Sequence, residues 1–282
     1  MTERLFCVVA LPSEARPLVR SWDLSRLSDS DVYPVYQSRC GTRTLIVSGI
    51  GKVAAAAAVG YLAGRLRAKG SDAWLNVGIA GSGEYSLGSL VVGHKVVDVG
   101  SDRNWYPSQL FQGPRMKYCQ STDIRTFDQV VSKYPPKGVV EMEAAGFIGA
   151  AMRYASVELV QVLKVVSDTP ADDVVQVTPQ RVVEWISGHL ATINGVAEEL
   201  LVLSRELDVL SKEPRELSTI LERWRFSVSE SHKLRKLIRR WDLVYPTEPV
   251  WGTIEQCVSS KTVLGGLEKA LKQAPVYLTK EV

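Results

Sequence analysis

The sequence predicts a layered α/β protein with a small all-helical appendage at its C-terminal end. Short apolar runs alternate with helix-forming stretches from residue 4 to about residue 200, and each run stops at Gly, Pro or a Ser-Asp pair. Beyond about Ser204 the apolar spacing is helical throughout. The expected division is therefore an α/β domain over 1–204 and a basic helical appendage over 205–282.

Each element has a local cause. Residues 4–11, RLFCVVAL, form a compact apolar run that Pro12 ends, as expected of a buried strand. Residues 43–48, RTLIVS, are a second run, halted by Gly49 and Gly51. A helix is expected from Lys52 to about Lys69, because the five alanines Ala54 to Ala58 favour it and allow close packing; Gly70 closes it. Strands follow at 73–77, AWLNV, leading into GIAGSG, and at 89–97, SLVVGHKVV. The polar stretch from Asp98 to Pro114 is long for a plain connection, and loops of that kind often carry function. Next come a helical stretch near 125–134, a short strand at 138–141 and a small-residue helix from Ala144 to Tyr154. Residues 157–166, VELVQVLKVV, read as a strong strand ended by Ser167-Asp168-Thr169-Pro170. Thr178-Pro179 is a good N-cap and first-turn pair and starts the last helix of the α/β part. In the appendage, Pro214 starts a helix with Leu217, Ile220, Leu221 and Trp224 on one face. Ser229 caps another, with Leu234, Leu237, Ile238 and Trp241 at helical spacing. A Pro-containing loop over 242–253 and a short helix over 262–272 complete it.

Composition narrows the class. A chain of 282 residues, 45% hydrophobic and 23% charged, suits a soluble globular protein that needs neither disulfides nor a structural metal to build its core. No apolar run approaches the roughly 18 residues of a membrane span. The stretch MTERLFCVVALPSEA reads as a first strand rather than a signal peptide, so a cytoplasmic location is expected. Cys7, Cys40, Cys119 and Cys257 are scattered, as are His94, His189 and His232. Reduced thiols, no metal and no cofactor follow. The net charge of +3 is unevenly placed: residues 201–282 hold 14 Lys+Arg against 11 Asp+Glu, which is the whole excess.

Four segments fall at strand ends: ALPSEA (10–15), SGIGKVAAA (48–56), NVGIAG (76–81) with VVEMEAAG (139–146), and VVSDTPADD (165–173). In open α/β sheets, ligand sites lie beyond strand ends. In this order and spacing the segments resemble the nucleoside phosphorylase/nucleosidase superfamily, and most closely the methylthioadenosine/S-adenosylhomocysteine nucleosidases, across about residues 4–200. The appendage lies outside the resemblance.

The resemblance implies a three-layer phosphorylase/hydrolase-like fold with a central mixed sheet flanked by helices. It also implies hydrolysis of the N-glycosidic bond of an adenosyl-type nucleoside, and a homo-oligomer, most simply a dimer. Breaking the C1′–N9 bond puts positive charge on the sugar and negative charge on the base. The reaction needs an acid at the purine, a carboxylate for the ribose hydroxyls and a base for water. By position, Asp168 matches the acid facing purine N7. Glu143 matches the carboxylate that binds the ribose 2′- and 3′-hydroxyls, with Met142 against the sugar. Glu14 matches the base that activates water. Ile50, Gly78, Ala80, Gly81, Glu141 and Ser167 match substrate-binding or supporting positions. Read without the resemblance, Glu14 and Glu143 are also ordinary first-turn helix acids, and Asp168 an ordinary turn residue.

The sequence departs from that pattern in places. Ile79 stands where the nucleosidases usually have a serine that helps hold the water. The phenylalanine that stacks on the base is hard to register: Phe127 is poorly spaced, and Trp105 or Tyr106 in the long loop are substitutes. A phosphate-dependent phosphorylase is the alternative, with Arg16 and Arg43 as its cations. Against it, Asn76 stands where phosphorylases carry an arginine, and Leu11-Pro12-Ser13-Glu14-Ala15-Arg16 replaces their Gly-Asp-Pro-x-Arg type loop. A carboxylate there repels phosphate.

In the appendage, Arg223 to Arg240 carries seven basic side chains against one acid, Glu230. Within it, SESHKLRKLIRRWD reads as an amphipathic helix with a cationic face. That face is either simply solvated or contacts nucleic acid or an acidic partner. The second functional hypothesis is accordingly a nucleic-acid-binding or regulatory protein that keeps a nucleosidase fold with little catalysis.

Overall fold

The computed structural model describes residues 3–28, 32–108, 119–131, 133–170, 177–211, 213–214 and 216–274. The chain divides into two compact units, Met1–Val209 and Leu210–Val282.

The first unit runs β1 (Leu5–Val9), α1 (Pro12–Ser21), β2 (Leu24–Arg26), β3 (Val35–Ser38), β4 (Arg43–Val47), α2 (Lys52–Arg65), β5 (Ala73–Ser82), β6 (Leu90–Asp98), β7 (Arg103–Trp105), β8 (Cys119–Thr126), β9 (Val139–Glu141), α3 (Ala144–Ala151), β10 (Val160–Asp168), α4 (Pro179–Gly188) and α5 (Leu190–Ser211). The strands form one mixed sheet in the order β10-β6-β8-β9-β5-β1-β4-β3-β2, with β7 on β6. Because β10 also pairs with β5, the strands β5, β9, β8, β6 and β10 close on themselves. The strands β1, β4, β3 and β2 extend from them as an open wing. β1 lies parallel to β4 and β5, and β5 lies parallel to β10. The carboxyl ends of β1, β5 and β10 therefore emerge on the same side.

Strand alternation builds the three layers. Leu5, Cys7 and Val9 join one core with Leu18 of α1, Ile186 of α4 and Ile193 of α5. Phe6 and Val8 join another with Ala55 and Leu62 of α2 and Phe147 of α3. A strand covered on both faces has no polar side to show, so residues 5–9 read as a continuous apolar run. Each such side chain contributes about 1.5–3 kcal/mol of transfer free energy.

Several elements differ from the sequence reading. α2 ends at Arg65 rather than near Lys69. β5 does not stop at Val77 but continues to Ser82, because Gly81 pairs with Val140 of β9 and with Asp168 of β10. Among the described residues of 125–134 there is no helix: β8 runs to Thr126 and the described residues beyond it are irregular. Its period-2 inward set is Thr122, Ile124 and Thr126, and the two threonines disguise it. β2, β3 and β7 are three or four residues long and held by pairing to their neighbours. Of the stretch Asp98–Pro114, β7 takes Arg103–Trp105, and residues 109–114 lie outside the described ones. Thr178 caps α4 as its sequence indicates, accepting the Arg181 N–H at 3.3 Å. α5 follows as a separate helix that passes through Ser204 to Ser211.

The second unit holds α6 (Leu217–Arg223), α7 (Val228–Val244), α8 (Trp251–Ile254) and α9 (Ser260–Lys272). It has its own core, with Ile220, Leu234, Ile238, Trp241 and Leu267 among its buried members. Trp224 and Trp251 stack with ring centroids 5.8 Å apart. The N-cap of α7 is Ser227, not Ser229: Ser227 and Glu230 form a reciprocal capping box. α7 continues to Val244 and α8 begins at Trp251, so the expected 242–253 loop is shorter than its two prolines suggest. Part of the basic stretch Arg223–Arg240 is used internally. Lys233 pairs with Glu268 and Arg235 with Glu213, each at 2.8 Å, and the Arg223 guanidinium lies over Trp224 and Trp251.

Candidate active site

The carboxyl ends of β1, β5 and β10 surround one cavity, completed by the start of α3 and by Phe127, Gln129, Val130, Val131 and Tyr134. Glu14, Glu143, Asp168, Ile50, Ala80, Gly81, Glu141, Met142 and Ser167 all line it. Gly78 does not. A Cβ there would lie 3.0 Å from Glu14 Oε1 and 3.1 Å from Lys164 Nζ, so the glycine makes room for those two groups behind the wall.

Glu14 is in the first turn of α1, with 2% exposure. Its Oε2 accepts the N–H groups of Ala10 at 2.8 Å and Leu11 at 2.9 Å, and its Oε1 accepts that of Ile79 at 3.1 Å. Burial pushes the carboxyl up to about 7, against the pull of Lys164 and the backbone donors, and Glu143 adds to the rise. A carboxylate that exchanges its proton near neutrality suits a general base. The side chain of Ile79 lines the cavity while its N–H holds Glu14.

Glu141 and Glu143 flank the turn from β9 into α3. The carboxylate of Glu141 is engaged on both oxygens. Oε1 accepts the Thr126 hydroxyl at 2.5 Å; Oε2 accepts the N–H groups of Glu143 at 2.9 Å and Ala144 at 2.8 Å. Lys164 Nζ reaches the same Oε2 at 2.8 Å. Glu141 thus ties β8, β9, α3 and β10 together. Glu143 is freer. Its Oε1 accepts the Gly51 N–H at 2.8 Å, and Lys164 Nζ is 3.8 Å from its Oε2. Burial raises the Glu143 carboxyl above its ordinary value, with Lys164 opposing and Glu141 adding to the rise.

Lys164 is the centre of this charge cluster and escaped the sequence reading. It is 1% exposed. Burial works against its charge, but Glu141, Glu143 and Glu14 outweigh that and hold it protonated above the usual lysine range. Its signal was a lysine amid the apolar run VELVQVLKVV, since a buried lysine requires charged partners.

Asp168 ends β10, where the register with β5 shifts between Val166 and Asp168. Ser167 Oγ lies 2.5 Å from Asp168 Oδ1, so Ser167 holds the acid. The Tyr134 hydroxyl donates to Oδ2. Tyr134 sits in an irregular segment and its sequence neighbourhood carried no signal. The aromatic position, which the spacing leaves open, also gains a candidate. Phe127 lines the cavity; its N–H donates to the Glu141 carbonyl at 2.8 Å, and that bond draws it inward despite its spacing. Trp105 borders a separate cleft with Lys52 and Arg153, and Tyr106 is 61% exposed. Among the described residues, no arginine or lysine lines the carboxylate cavity. Arg43 begins β4 at the opposite end of the sheet and pairs with Glu198, and Arg16 is exposed on α1.

No protein-family profile matches the sequence. No curated protein matches it either. Solved structures do. A 5′-methylthioadenosine/S-adenosylhomocysteine nucleosidase from S. pneumoniae, with a transition-state inhibitor, aligns over 71% of this chain and 98% of its own at 22% identity, with a TM-score of 0.54. A mutant Helicobacter pylori nucleosidase with 5′-methylthioadenosine in its active site aligns over 71% and 100% at 16% identity, with a TM-score of 0.56. The Helicobacter pylori futalosine hydrolase aligns over 72% and 98% at 14% identity, with a TM-score of 0.54. Some 71–72% of the chain thus shares its fold with these nucleosidases and with the futalosine hydrolase.

Proposed function

We propose that the α/β unit is a purine nucleosidase that hydrolyses the N-glycosidic bond of an adenosyl-type nucleoside. The observation that carries this reading is the convergence of Glu14, Glu143 and Asp168 on one cavity that no described arginine or lysine lines. Their environments separate their roles. Asp168, at the end of β10, gives its proton to the purine as the C1′–N9 electron pair moves onto the base. Glu143 has an oxygen beyond the one Gly51 binds, and with it accepts the ribose hydroxyls and faces the developing positive charge on the sugar. Glu14 takes a proton from the water whose oxygen bonds to C1′. The products are the free base and the free sugar. With Ile79 apolar, Glu14 is the group that holds this water. Ile50, Met142 and Phe127 supply apolar contacts for sugar and base.

A phosphorylase needs cations for its anion. The acidic character of this cavity disfavours phosphate as the nucleophile. The test is release of adenine from 5′-methylthioadenosine and S-adenosylhomocysteine by the purified full chain. The wild type releases adenine, and Asp168→Asn lowers kcat about 10²- to 10⁴-fold with the fold intact. Full turnover by Asp168→Asn removes Asp168 from its role, and no base released from any adenosyl nucleoside overturns the reading.

A further inference from the structure

We propose that Tyr134 is a positioning residue for Asp168: its phenol hydroxyl completes a Ser167–Asp168–Tyr134 row that aims the carboxyl group at the leaving base. The proposal rests on the nucleosidase reading and deepens it.

Three stretches remote in sequence meet at this one carboxyl group. Ser167 Oγ lies 2.5 Å from Asp168 Oδ1, and the Tyr134 hydroxyl donates to Oδ2. Each oxygen of the acid therefore has its own donor, and the group is fixed in rotation about its terminal bond. Tyr134 is itself fixed by the end of β5. A Cβ on Gly81 would stand 2.4 Å from Tyr134 Cε1 and 2.5 Å from Asp168 Oδ2. A Cβ on Gly83 would stand 2.9 Å from the Pro135 carbonyl oxygen. Gly81 and Gly83 are thus the floor on which Tyr134 and Pro135 rest, and that explains the last two glycines of GIAGSG. Burial, reinforced by the hydrogen bond to Asp168, pushes the phenol above its ordinary value, so Tyr134 stays a donor at any working pH.

Both donors are neutral. They orient the acid without adding positive charge where the sugar becomes cationic. Proton delivery to a ring nitrogen requires hydrogen-bond contact, and a small misplacement of the acid lowers the rate steeply.

The test compares wild type, Tyr134→Phe, Asp168→Asn and the double variant on two substrates. One is 5′-methylthioadenosine, whose base needs protonation. The other is 4-nitrophenyl β-D-ribofuranoside, whose leaving group does not. Tyr134→Phe is expected to lower kcat on the nucleoside roughly tenfold or more with a smaller change in KM. It leaves the nitrophenyl riboside rate unchanged. In the Asp168→Asn background it has no further effect, because the two residues act as one unit. Equal losses on both substrates, additive losses in the double variant, or full activity of Tyr134→Phe overturn the proposal. A wild type that cleaves the nucleoside but not the riboside leaves the double variant to decide. A wild type that cleaves neither overturns the nucleosidase reading, and this proposal with it.

Discussion

The two units treat charge in opposite ways. In the α/β unit Lys164, Glu14, Glu141 and Glu143 are buried together, with exposures of 1%, 2%, 6% and 7%. In the helical unit the Lys233–Glu268 pair leaves 51% and 41% of its side chains exposed, and Arg235–Glu213 leaves 31% and 66%. The excess that makes the chain basic lies in the second set. The groups placed for chemistry lie in the first, where one lysine faces three glutamates, inside a stretch, residues 1–200, whose basic and acidic residues balance in a count. Net charge follows the solvated side chains, whereas the buried ones determine what the protein can do.

The largest stability effect is expected at the centre of the buried cluster. Lys164→Met removes the one cation among three carboxylates and leaves them to repel each other out of water. Loss of one partner from a buried ionic group costs about 3–5 kcal/mol. Denaturant titration of the full chain checks it, and an unchanged midpoint for the α/β transition breaks the contrast between the units.

Glu14 yields a smaller effect with a defined sign. Its folded value is raised from 4.5 to about 7. The folded protein holds this proton more tightly than the unfolded chain. The corresponding stabilisation is fully present below about pH 4.5 and is lost as pH rises through about 7. Between pH 5 and 8 the wild type therefore loses on the order of 2 kcal/mol relative to Glu14→Gln, which has no such titration. Parallel unfolding curves at both pH values contradict a buried, titrating Glu14.

The smallest effects belong to the surface pairs. Lys233→Ala and Arg235→Ala are each expected to change stability by less than about 1 kcal/mol and to leave base release unaltered. A large loss at either position means that the helical unit's charges are structural after all. Tight, salt-sensitive binding of oligonucleotides that Lys236→Glu/Arg240→Glu abolishes would instead favour the nucleic-acid hypothesis.

What was legible in the sequence follows the same division. β1 and β10 are covered on both faces, so their apolar runs mark them, and Glu14 and Asp168 follow those runs directly. Glu143 was legible because EMEA sits at a strand-to-helix turn. β8 was not, because inward threonines replace the expected apolar residues. The pairing of β10 with both β5 and β6 was also hidden, since pairing across long separations leaves no local pattern. Tyr134 reaches Asp168 across 34 positions from an irregular segment, where only the folded chain brings them together. Lys164 stands in plain view in the run VELVQVLKVV, but only its burial against Glu141, Glu143 and Glu14 turns it into the counter-ion of three acids.

The most direct measurement incubates the purified chain with 5′-methylthioadenosine, with and without inorganic phosphate, and identifies both products. The expected result is adenine and free 5-methylthioribose at the same rate in both conditions. A sugar 1-phosphate, a requirement for phosphate, or no adenine at all would contradict a water-using site built on Glu14, Glu143 and Asp168.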